Sequence, residues 1–217
     1  MIAGLVCIAV AILSYLLGSL NFGVILSKGI EKDDIREHGS GNAGTTNMLR
    51  NYGKKLAIFT ILGDMIKVAV AIGLSFLIVK LTNVYDLISE SNVNADMLIK
   101  SFSGFFCVLG HIFPCFFKFK GGKGVATAGG MVFIVDWKIA LILLAIFIII
   151  VAVTKYVSLG SIIIALLYPI LIYLFYKSFV LTIIALIFTL IVIVAHRSNI
   201  KKLINHSENK INFKKSK

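Results

Sequence analysis

The chain has 217 residues, is 59% hydrophobic, and carries a formal charge of +12 from 22 Lys and Arg against 10 Asp and Glu. Soluble domains average roughly 45–50% apolar residues, so this composition, with a mean hydropathy of +0.97, excludes the ordinary soluble class. The basic balance does not mark a nucleic-acid binder either, because most Lys and Arg flank apolar blocks and no soluble module is left to grip a duplex.

Apolar blocks run over 2–20, 56–80, 98–117, 124–136, 138–154, 157–176 and 178–196. Crossing a hydrocarbon core takes about 20 helical residues. The pattern therefore predicts an all-α, polytopic integral membrane protein, seven transmembrane helices in a single domain over 1–217. The first block has no basic residue before Lys28 and reads as a retained helix rather than a signal peptide. The fourth is short enough to be tilted or re-entrant, with five spans as the fallback count. Cys7, Cys107 and Cys115 lie in or beside apolar runs without CxxC spacing and are expected as buried free thiols.

Orientation follows from Lys and Arg. Loop 28–55 holds six, loop 118–123 three, the turn at 155 one and the segment after His196 seven, against Lys80, Lys100, Lys138 and Lys177 on the other side. The N-terminus is expected outside and the C-terminus in the cytoplasm. Loop 82–97, with Asp86, Glu90 and Asp96, is expected to be a solvated outer connector. The lysine-rich tail 201–217 is expected to be mobile and drawn to anionic lipid.

In chain order, the first polar cluster is His38–Arg50, HGSGNAGTTNMLR. Glycines let backbone N–H groups turn inward, and Ser40, Asn42, Thr45, Thr46, Asn47 and Arg50 add donors suited to an oxyanion. Gly39, Gly41 and Gly44 fit G-x-G-x-x-G, but no strand precedes them, so no dinucleotide fold is implied. Asp64 and Lys67, three apart in an apolar run, are expected to pair with each other or line a polar cavity. His111 is either a proton carrier or a cap on a polar helix end.

The second cluster, Lys118–Thr127 (KFKGGKGVAT), lacks the spacing of a nucleotide P-loop. Gly121, Gly122 and Gly124 bring the backbone close to a ligand, Lys123 and Lys120 supply charge, and the next helix starts at an anion-favouring N-terminus. A Cβ at Gly122 is expected to push a bound phosphate outward. Tyr156, Ser158 and Ser161 form an inner turn from which Ser158 reaches the site. His196 and Asn199, three apart, share a face if the last helix continues through them. Histidine can take a proton from a hydroxyl, and an asparagine amide can donate to a developing oxyanion. No HxxxxD pair, GxSxG elbow or HExxH helix occurs, and neither metal nor cofactor is expected.

Together GSLN (18–21), DIREHGSGNAGTTNMLR (34–50), GHIFPCFFKFKGGKGVAT (110–127), YVSLGS (156–161) and HRSNIKKLINHSE (196–208) resemble the bacterial acyl-phosphate:glycerol-3-phosphate acyltransferase family. The resemblance covers nearly the whole chain, in order. It implies seven spans, an external N-terminus, residence in the bacterial plasma membrane, and fatty acyl transfer from acyl phosphate to the 1-hydroxyl of glycerol 3-phosphate. By resemblance Ser40, Arg50, His196 and Asn199 fall at catalytically important positions and Glu208 at a structural one. The loop around Lys123 matches the glycerol 3-phosphate site. Two departures stand out: Thr45 where alanine is usual, and Asn205-His206 in place of a glycine region, which bears on backbone shape near Glu208. The rival reading, a membrane transporter of phosphate or an organic anion, requires polar residues through the depth of several spans. The partners implied are the two substrates and membrane lipid; oligomeric state is left open.

Overall fold

The computed structural model describes residues 2–89 and 94–211. Every regular element among them is helical. The chain divides into two compact units, Met1–Val135 and Asp136–Lys217. The division falls between α6 (Val125–Val135), which packs on α3 and α5, and α7 (Trp137–Thr154), which packs on α8.

The first unit holds α1 (Ile2–Gly18), the short α2 (Phe22–Leu26), α3 (Thr45–Leu81), α4 (Val84–Ser89), α5 (Ala95–Ile112) and α6. Helix α1 crosses α5 closely because both are glycine at the contact: a Cβ on Gly18 would meet the Cys107 carbonyl oxygen, and one on Gly110 the Tyr15 oxygen. Deeper in, Ser103 Oγ lies 2.9 Å from both Ser14 Oγ and Ser75 Oγ, so buried hydroxyls from α1, α3 and α5 satisfy one another. Asp64 and Lys67 pair as the spacing predicts, with Nζ 2.9 Å from Oδ1.

Helix α3 begins eleven residues before the predicted span at 56 because it is two helices in one run. Gly53, at φ 82° and ψ −175°, breaks it, and that backbone shape suits only glycine. Thr45–Tyr52 is therefore a separate short helix ahead of the span. Tyr52 holds its end down, donating from its hydroxyl to Asp33 Oδ2 at 2.7 Å.

The expected outer connector is not featureless. It contains α4, whose Val84 packs into a cluster with Val6, Val10, Val79 and Ile99. The connector's remaining residues 90–93, Glu90 included, lie outside the described set. Cys7 is also exposed on α1 rather than buried, while Cys107 is buried.

The second unit holds α7, α8 (Val157–Tyr176), α9 (Phe179–Ala195) and α10 (Arg197–Ile204). Asp136 caps α7 by accepting from the Lys138 and Ile139 N–H groups, and it accepts the Tyr176 hydroxyl as well. The last apolar helix does not run straight through His196: α10 departs from α9 at 61°. The cause is local, since His196 leaves helical geometry (φ −95°, ψ 5°) while its N–H still caps α9.

Each predicted block is helical, but the lengths differ from the expectation. Ile2–Glu31, Thr45–Leu81, Ala95–Phe117, Trp137–Thr154 and Val157–Tyr176 are each long and apolar enough to cross a membrane. Helices α9 and α10 qualify together as a bent pair. Helix α6, with 11 residues, falls short of the about 20 that a crossing needs.

Candidate functional site

In the first unit the His38–Arg50 loop is built on one side chain. Asn47, 1% exposed, donates through Nδ2 to the Ile35 and His38 carbonyls at 3.1 and 2.9 Å. Its Oδ1 accepts from the Ser40 N–H and from Asn51 Nδ2, both at 3.0 Å. Those bonds use both amide protons and both lone pairs. Asn47 is thus a brace that shapes the loop, where the sequence reading made it a substrate ligand. Ser40 and Arg50 lie exposed at the two ends of the loop, and Asn42 and Thr46 are half-buried between them. The Thr45 hydroxyl is buried with no hydrogen-bond partner among the described residues, as is that of Thr127 at the start of α6.

Arg36 joins this loop to the glycine–lysine loop. Its Nε and Nη2 fork onto the two oxygens of Asp34 at 2.9 and 2.7 Å. Its Nη1 donates across to the Phe117 and Lys120 carbonyls at 2.9 and 3.0 Å. The two loops line a cleft of about 290 Å³ with Asp34, Arg36, Glu37, Gly41, Lys118, Lys120 and Gly121. The Arg36 guanidinium beside Asp34 holds its carboxyl well below the usual carboxylate range. A depressed carboxylate contributes fully above its unfolded pKa and is lost only as pH falls through the lower folded value. The clamp therefore persists through neutral and mildly acidic pH.

The glycine–lysine loop lies directly over α5. The Gly122 N–H donates to the His111 carbonyl at 3.1 Å. A Cβ at Gly122 would run into His111 Nε2, and one at Gly121 into the His111 carbonyl oxygen. A protein ring below the loop is thus by itself a reason for glycine at 122, beside the bound phosphate that the sequence reading invokes. Gly124 has φ +77°, a left-handed turn that leads into α6. Lys123 is half-buried and Lys120 exposed.

In the second unit the last motif closes on Glu208. Its Oε1 accepts from Asn199 Nδ2 at 2.7 Å and from Ser158 Oγ at 2.8 Å. The Ile211 N–H reaches the Lys155 carbonyl at 2.8 Å, and Lys210 Nζ stands 5.5 Å over the Tyr156 ring. Residues 205–211 are therefore tied to the α7–α8 turn, where the sequence reading had a mobile tail; 212–217 lie outside the described set. The turn into Glu208 places His206 at φ 53°, a shape that favours glycine, so this chain makes with a histidine the bend expected of a glycine region. His196 is 1% exposed and Asn199 9%. His196 Nδ1 stands 2.8 Å from the Val192 carbonyl. A carbonyl only accepts, so Nδ1 carries a proton in that contact.

Sequence reasoning singled out the glycines, Ser158 and the final motif. It counts Arg36 among the positive-inside charges and within the 34–50 motif without giving it a role, although the Asp-x-Arg spacing of a side chain returning to its own turn is visible.

Residues 8–206 match the family described as glycerol-3-phosphate acyltransferase. Glycerol-3-phosphate acyltransferase of Clostridioides difficile (strain 630) is 41% identical over 209 residues, covering 96% of this chain and 97% of the relative. That of Bacillus subtilis (strain 168) is 39% identical over 202 residues, 93% of this chain and 96% of the relative. A Ureaplasma urealyticum relative is 44% identical over 152 residues, but the match spans only 60% of its length. Among solved structures, PlsY (YgiH), an integral membrane glycerol 3-phosphate acyltransferase in its glycerol 3-phosphate form, aligns with TM-score 0.80 at 33% identity. That alignment covers 95% of this chain and 96% of the other. Its lysophosphatidic acid form aligns with TM-score 0.78 at 32% identity. The chain therefore belongs to the glycerol-3-phosphate acyltransferase family of integral membrane acyltransferases, as a multi-pass protein of the bacterial plasma membrane.

Proposed function

We propose that this chain transfers a fatty acyl group from acyl phosphate to the 1-hydroxyl of glycerol 3-phosphate, giving lysophosphatidic acid and phosphate. This is the first acylation of bacterial phospholipid synthesis. The observation that carries the reading is the match to PlsY in its glycerol 3-phosphate form across nearly the full length of both chains. The family match runs through both compact units, which supports treating 1–217 as one acyltransferase domain.

An acyl phosphate is a mixed anhydride with a good leaving group, so no protein nucleophile is required. The hydroxyl oxygen bonds to the carbonyl carbon, the carbonyl becomes a tetrahedral oxyanion, and the carbon–oxygen bond to phosphate then breaks. The protein's tasks are to hold two anions against their repulsion, align the hydroxyl and stabilise the oxyanion. Ser40, Asn42, Thr46 and Arg50 on the first loop, and Lys120, Gly121, Gly122, Lys123 and Gly124 on the second, are the phosphate-binding groups. The buried Thr127 hydroxyl at the start of α6, without a partner among the described residues, supports an anion there, since a helix N-terminus favours one and a buried hydroxyl needs a partner. Asn199 is the oxyanion donor. His196 Nε2 receives the hydroxyl proton or orients a substrate phosphate that receives it. The reaction is tested with purified protein: acyl phosphate and glycerol 3-phosphate should give lysophosphatidic acid, and acyl-coenzyme A should not replace the donor.

The orientation belongs to the same proposal: seven passes with the short α6 counted as one, N-terminus outside and all three motifs at the cytoplasmic face. The support is the distribution of Lys and Arg. In a background with Cys7, Cys107 and Cys115 replaced, Ser89→Cys should react with an impermeant thiol reagent added to intact cells, and Ser207→Cys only after lysis. The opposite pattern would move the motifs to the outer face.

A further inference from the structure

Asp64, Lys67 and His111 form a buried charged cluster to which acyl transfer assigns no task. They are 1%, 3% and 2% exposed, in the helices α3 and α5. Ionised groups in a membrane interior are costly, and a well-packed apolar cluster of the same volume would hold helices together at less cost. The arrangement has a direction, however, and it ends at the glycine–lysine loop.

Lys67 Nζ donates to the Gly18 and Leu20 carbonyls at 2.9 and 3.0 Å, where α1 ends. Its remaining donor direction faces Asp64 Oδ1 and His111 Nδ1, each at 2.9 Å. His111 Nδ1 also lies 3.3 Å from Asp64 Oδ1, so both members of the ion pair hold the ring by this one nitrogen. With Nδ1 held there, the opposite ring nitrogen, Nε2, lies toward Gly122 and is the atom that a Cβ there would strike. The backbone of the same histidine takes the Gly122 N–H. One residue thus grips the loop through its carbonyl and sets its height through its ring, and Lys67 sets the ring.

We infer that Lys67, acting through His111, is a positioning residue for the Gly121–Gly124 loop and so for the phosphate of glycerol 3-phosphate. This rests on the reading of that loop as the acceptor-phosphate site. Three properties follow. Disturbing the cluster weakens glycerol 3-phosphate and leaves acyl phosphate alone. Lys67 and His111 act in series, so their effects do not multiply. A shorter side chain at 111 makes room for a Cβ at 122.

The experiment uses full-length protein and measures both KM values and kcat for His111→Asn, Lys67→Met, Gly122→Ala and the two double variants containing His111→Asn. Gly122→Ala should raise KM for glycerol 3-phosphate roughly tenfold with KM for acyl phosphate within about twofold, and His111→Asn should shift the same constant. In the His111→Asn background, adding Gly122→Ala or Lys67→Met should each change that KM less than about threefold, the mark of coupled residues. If Gly122→Ala leaves KM for glycerol 3-phosphate unchanged, the loop is not the acceptor site, and this inference falls with that reading. If Gly122→Ala raises it but His111→Asn does not, or if the two effects multiply, the loop is the acceptor site and the cluster does not position it. Should Lys67→Met not fold, Lys67→Gln takes its place in the same cycle, and an unchanged KM for glycerol 3-phosphate in that variant would overturn the role of Lys67.

Discussion

Asn199→Ala should lower kcat by roughly 10²–10³-fold, the loss expected for one oxyanion donor, with little change in KM for either substrate. The size of the effect depends on what the amide does beyond its bond to Glu208. That bond uses one proton of Nδ2 at 2.7 Å, and an amide carries a second proton and a carbonyl. Ser158→Ala separates the two roles, because it loosens Glu208 from α8 and leaves the Asn199 amide intact. It should cost no more than about tenfold, the lower range for losing a hydrogen bond to a charged group. Equal losses in the two variants would mean that Asn199 serves only to hold Glu208.

Arg36→Ala should lower kcat/KM roughly 10–100-fold for both substrates together. The guanidinium is the direct link between the first anion loop and the second, through the Phe117 and Lys120 carbonyls, and it is itself anchored bidentately on Asp34. Hydrogen bonds involving a charged group are worth about 1.5–3 kcal/mol, and losing this set lets the loops separate while leaving the helices in place. Arg36→Lys should fail to restore activity, because an ammonium cannot fork onto a carboxylate and reach two carbonyls at once. A change confined to one substrate's KM would show that the two loops act independently.

The helices were legible because their apolar runs are long: α7 and α8 begin and end within a residue of the blocks read from the sequence. Breaks without proline were not legible. Gly53 divides α3 and His196 turns α10 away from α9 through backbone angles that leave no periodic signature. Helix α4 was hidden in a short, mixed-polarity stretch. At the site, residue types suited to anions could be read, but the direction of each side chain could not. Asn47 and Asn42 look alike in the sequence, yet Asn47 spends all its hydrogen bonds inside the loop. At Gly122 a second neighbour was hidden, since nothing in the sequence places the His111 ring eleven positions earlier beneath it.

The measurement that bears most directly on acyl transfer from acyl phosphate is the yield of phosphate against lysophosphatidic acid in a single reaction of the purified protein. With acyl phosphate and glycerol 3-phosphate present, one phosphate should appear for each lysophosphatidic acid formed, and phosphate release should fall to background when glycerol 3-phosphate is left out. Phosphate released without acylated product, or lysophosphatidic acid formed from acyl-coenzyme A with no acyl phosphate present, would contradict the account.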